Sequence, residues 1–179
     1  MGRCGLDLPT PWDPNTQLFV TGLGVSNGFT ANAIDYGPKD IRSRHTVNWK
    51  QDEFDPRTGN KLRTIPEGSL ASVRLGNWDI GRGAESITYD YTVDVKTASI
   101  LLLKYAMVLE DPDHTATEQP RFTLEILDEQ GNMVDNLCGA ADFRASNDTT
   151  VWNTYYPKNS ATMPIRWRDW TTVGLNLEK

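Results

Sequence analysis

The chain has 179 residues, 18 Lys+Arg against 24 Asp+Glu, and a net charge of −6, so it lacks the basic footprint that nucleic-acid binding needs and anionic membrane surfaces repel it. Cations are the more natural small partners. A chain of this length suits one domain and buries roughly 70% of its unfolded surface, enough for a core without staples. Cys4 and Cys138 are too few for a disulfide framework, and neither lies in a C-x-x-C pair.

No run of eighteen apolar residues marks a membrane span, and Met1–Gly5 lacks the charged-then-apolar pattern of a signal peptide. From residue 1 to about 42 the chain is cut by Pro9, Pro11, Pro14, Gly22, Gly24, Gly28, Gly37 and Pro38 into an irregular arm in which only Gln17–Thr21 reads as a strand. His45–Trp49 is a short strand. Asp55–Lys61 is a turn rather than an EF-hand loop, because Arg57 interrupts the alternating oxygen ligands that such a loop requires. A strand over 70–76 follows. Ile87, Tyr89, Tyr91, Val93 and Val95 then alternate with Thr88, Asp90, Thr92 and Asp94, which predicts one long strand over 86–95 with a solvated face.

Ser99–Leu109 is apolar at nearly every position and reads as a strand covered on both faces. Phe122, Leu124 and Ile126 alternate with Arg121, Thr123 and Glu125, giving a half-buried strand over 121–127 that needs a partner. Leu102, Val108, Phe122, Leu124 and Ile126 are the expected core. Pro112 and Pro120 keep helix out of the intervening loop. Beyond it, Asp128–Asn132 is a hairpin loop with Gly131 at positive φ, and Met133–Val134 begins the return strand. Phe143 sits on a further strand, 147–162 is a polar loop with aromatic insertions, and 170–177 is the last strand. With no sustained helical period, the expected fold is all-β, a two-sheet antiparallel sandwich of jelly-roll type, with an immunoglobulin-like sandwich as the alternative.

Several stretches together resemble one family. Tyr105-Ala-Met-Val-Leu-Glu-Asp-Pro-Asp-His114, Glu118-Gln-Pro-Arg-Phe122, Ser72-Val-Arg-Leu-Gly-Asn77, Ala84-Glu-Ser-Ile-Thr-Tyr89, Asp135-Asn-Leu-Cys-Gly139 and Ile165-Arg-Trp-Arg-Asp-Trp-Thr-Thr-Val-Gly174 resemble the N-terminal β-rich domain of Bacteroidetes surface and adhesin-like proteins associated with gliding-motility or PKD-containing chains. The resemblance runs from about Arg44 to Lys179. It implies an extracellular or cell-surface location, with the export signal absent from this chain, but does not name the ligand; a glycan or protein at the surface is the expected partner. Such relatives continue past Trp170-Thr-Thr-Val-Gly174 with further strands. The expectation here is therefore an edge near Thr171–Leu177 that pairs with a second copy or is covered by the first forty residues. It also means that a disulfide between Cys4 and Cys138 is not assumed.

Two places carry candidate chemistry. Glu110, Asp111, Asp113 and Glu118 crowd one loop together with His114, a density of hard oxygens that suits Ca2+ better than zinc. The competing reading is that Asp111 accepts backbone N–H bonds in an Asx turn while His114 and Arg121 tie the loop down. That reading is favoured, because a loop beside a packed core must satisfy its own backbone first. Trp152, Tyr155 and Tyr156 in the polar loop are the best surface rings for stacking on a sugar or anchoring a protein, with Trp49 and Trp78 behind them and Trp167 and Trp170 read as structural. Burial of most of these rings is the competing reading. With His45 and His114 as the only histidines and no nucleophile motif, a hydrolase is the weakest reading. The expected function is a non-catalytic binding or structural module, with a carbohydrate-binding module as the alternative.

Overall fold

A computed structural model describes residues 12–13, 18–19, 45–78, 85–87, 94, 96, 100–134, 140–158 and 163–176. Most of the expected arm, most of the expected strand over 86–95, and both cysteines lie outside these residues. The described chain is rich in antiparallel strands with one short 3-10 helix, as an all-β reading requires. Its contacts form two compact units, one of residues 1–53 and 63–92, the other of residues 54–62 and 93–179.

In the first unit, β1 (Trp12–Asp13) pairs with β2 (Leu18–Phe19), and β3 (His45–Asn48) pairs antiparallel with β4 (Ser72–Leu75). Thr46, Val47 and Ile65 are buried. Thr46 remains inside because its hydroxyl oxygen accepts from Arg74 Nη2 at 3.0 Å, and the Arg74 guanidinium in turn lies 4.3 Å from the centre of the Trp78 ring. Ser72 links the ladder to the preceding loop: its hydroxyl donates to the Thr64 carbonyl and accepts from Asn48 Nδ2.

The second unit is built on β5 (Ile100–Glu110) and β9 (Ile165–Asn176), which run antiparallel from Ile100↔Asn176 to Glu110↔Ile165. The register shifts between Tyr105 and Met107, where Tyr105 faces Thr171 and Met107 faces Arg168, so β9 carries the extra residue of a bulge. Beside β9 lies β8 (Asn153–Tyr155), paired with Ile165–Trp167. A separate hairpin joins β6 (Arg121–Glu125) to β7 (Ala140–Arg144). Tyr105 stacks on Phe122 with centroids 5.2 Å apart, Phe143 lies 6.4 Å from Tyr105, and Trp152 meets Phe143 edge-on at 6.3 Å. These rings join the hairpin to the larger sheet.

Two elements behave as local chemistry dictates. Gly131, at φ 81°, closes the Asp128–Asn132 loop, with the Gly131 N–H donating to the Asp128 carbonyl and the Asp128 N–H to the Asn132 carbonyl, and Leu127 bridges Met133. The turn at Asp55 contains a 3-10 helix, Pro56–Thr58: the Asp55 carboxylate caps the Arg57 N–H at 2.7 Å, and Gly59 ends it at φ 68°. Thr58, fully buried, donates to the Asp55 carbonyl and accepts from the Lys61 and Leu62 amides.

The expectation that residues 99–109 are covered on both faces needs correction. Met107 is buried, but Ile100 and Leu102 are 61% and 65% exposed, while Leu101, Leu103 and Tyr105 are half-buried. Below the bulge the strand is one-sided, because the hairpin covers only the face that carries Tyr105. Leu102 is therefore not core, whereas Phe122, Leu124 and Ile126 alternate inward as expected and are half-buried. The last strand starts at Ile165 rather than 170, and the segment 147–162 contains β8.

Two stability predictions follow from this packing. Phe122→Ala removes the stack on Tyr105 and is expected to cost about 2–4 kcal/mol in urea unfolding, against less than about 1 kcal/mol for Leu102→Ala. A β-carbon at Gly59 would sit 2.8 Å from the Tyr155 ring, at a φ that L residues rarely adopt. Gly59→Ala is therefore expected to cost about 2 kcal/mol or more. The loss should be smaller in a Tyr155→Ala background, where only the backbone cost remains.

Candidate functional site

The loop 111–120 joins β5 to β6 where Pro112 and Pro120 interrupt the ladder. Asp111 follows the last β5–β9 pair, and its N–H donates to the Pro164 carbonyl at 2.9 Å. Its side chain is buried, 7% exposed. One carboxylate oxygen accepts from Arg166 Nε at 2.7 Å; the other accepts from Gln119 Nε2 at 2.8 Å and, at 3.4 Å, from the Asp113 N–H. Arg166, itself buried, also donates through Nη1 to Thr154 Oγ1 at 2.7 Å. Register explains the meeting: Thr154 is opposite Arg166 in the β8–β9 pair, and Ile165 is opposite Glu110 in the β5–β9 pair. Strands β8 and β9 and the residue just past β5 thus each deliver one polar group to the same end of the sheet.

The other side of the loop is tied to β7. Gln119 Nε2 also donates to the Ala145 carbonyl at 3.3 Å, the Ala145 N–H donates to the Pro120 carbonyl at 3.0 Å, and the Arg144 guanidinium donates to the Ala116 carbonyl. Within the loop, Glu118 and Gln119 N–H groups reach the Thr115 carbonyl, and the Thr115 hydroxyl donates to Glu118 at 2.8 Å. Arg121 does not reach back into the loop. It makes a two-pronged pair with Asp142, at 2.6 and 2.7 Å, which offsets the repulsion from Arg144 directly opposite it. His114 is exposed.

Arg166, Gln119 and Arg144 tie the loop down in place of the expected His114 and Arg121. The four carboxylates are not gathered around one point: Asp111 faces Arg166, Glu118 faces Thr115, Asp113 is exposed at φ 57°, and Glu110 is the last residue of β5. Among the described residues no group of three or more His, Cys, Asp or Glu is placed to hold a metal ion.

Burial by itself raises the Asp111 carboxyl, but hydrogen bonds from Arg166, Gln119 and the Asp113 amide, with the Arg166 charge, outweigh it and hold the group below its ordinary range. The arrangement is an architectural ion pair.

The aromatic candidates separate. Trp152 is 4% exposed and belongs to the core, which corrects its expected place at the surface. A local turn orients the ring and a distant strand covers it: Asp148 accepts from the Thr150 N–H and hydroxyl, the Val151 and Trp152 N–H groups return to the Asp148 carbonyl, and Trp152 meets Phe143 of β7. Tyr155 packs on Gly59. Tyr156 is 59% exposed and Trp49 40%, Trp78 is half-buried beneath Arg74, and Trp167 is buried, as its structural reading requires.

An open groove of about 430 Å3 lies in the second unit, lined by Tyr105, Leu124, Ala141, Phe143, Val173 and the backbone of Gly174. No sequence signal marked it, because it depends on how the hairpin meets β9. Arg166, Thr154 and Gln119 were equally missed, since nothing in a lone Arg or Thr announces a partner on another strand.

Among the described residues no helix is long and apolar enough to cross a membrane. Comparison with protein families, with curated proteins and with solved structures finds no match.

Removing one member of the buried pair strands the other. Arg166→Met is expected to lower stability by about 3–5 kcal/mol, and Asp111→Asn by a similar amount. A carboxyl held below its unfolded value of about 3.9 contributes stability above that value and loses it as pH falls through the folded one. The wild-type urea midpoint should therefore fall more steeply between about pH 5 and pH 2 than that of Asp111→Asn.

Proposed function

We propose that this chain is a non-catalytic extracellular module of an adhesin-like bacterial surface protein, a two-sheet sandwich of jelly-roll type that serves adhesion or architecture. The observation that carries this reading is the use of the most polar loop. Its buried carboxylate is neutralised by Arg166 and its backbone is tied to β7, so its chemistry is spent on holding strands together. The ring contacts of Tyr105 with Phe122 and Phe143 support a two-layer packing. The sequence resemblance supports the surface setting.

A carbohydrate-binding module is the second reading, favoured by Tyr156, whose ring is open to solvent beside the anchored Tyr155. Calcium at Glu110–Glu118 draws less support, since Asp111 is already taken by Arg166. A hydrolase draws none from the polar side chains described.

Binding to an array of glycans and to immobilised surface proteins tests the first two readings. If glycans bind, Tyr156→Ala should weaken binding at least about tenfold while leaving the melting temperature unchanged, as expected for a stacking ring worth more than about 1.4 kcal/mol. Binding to proteins alone favours adhesion, and turnover of any glycoside, ester or peptide would overturn both. Melting curves that coincide in EDTA and in millimolar calcium would dispose of the ion, because a ligand that binds only the folded state must raise its stability.

A further inference from the structure

No further inference is drawn: the strongest candidate, the open groove lined by Tyr105, Leu124, Phe143 and Val173 between the β6–β7 hairpin and β9, is an unpartnered apolar face, and nothing in the structure shows what covers it.

Discussion

The buried contact between Asp111 and Arg166 sets the constraint around which the second unit is arranged. Two charges withdrawn from water are tolerated only when each finds full compensation, and here the carboxylate takes Arg166 and Gln119 while the guanidinium also takes Thr154. These bonds cross from β5 to β9 to β8 and into the loop before β6. A slip of one residue in any of those strand pairs would turn Arg166 or Thr154 to the opposite face and leave a buried charge alone. The pair thus specifies register, a role distinct from supplying net stability.

Around that corner the packing is uneven. At the Glu110 end Met107, Ile165, Arg166 and Trp167 are all buried, whereas past the bulge the sheet is covered on the Tyr105 face and leaves Ile100 and Leu102 open. The bulge lets β9 change its alternation midway, so that Arg168 before it and Thr171 and Val173 after it lie on the face that carries Met107 and Tyr105. The aromatic set of Tyr105, Phe122, Phe143 and Trp152 then links hairpin and sheet. Arg168 lies over the Phe143 ring at 5.2 Å, which extends that cluster to the bulged stretch of β9.

In the acidic loop, Asp111, Gln119 and the Ala116 carbonyl tie neighbouring strands together, while Asp113, His114 and Glu118 remain exposed. The second unit exposes Tyr156 and an open groove beside Val173 along with these polar residues.

Short-range rules were readable from the residues alone. The alternation of Phe122, Leu124 and Ile126, the glycine that closes the Asp128–Asn132 loop, the turn at Asp55 and the all-β character each depend on neighbours within a few positions, where backbone sterics and side-chain period decide the outcome. The side chains that meet Asp111 were not readable. Arg166 lies 55 residues away in sequence, and only strand register brings its guanidinium to that carboxylate. Trp152 and Leu102 exchanged their expected places for the same reason: an apolar ring or a leucine has the same preference wherever it sits, and whether it is covered depends on which distant strand packs over it.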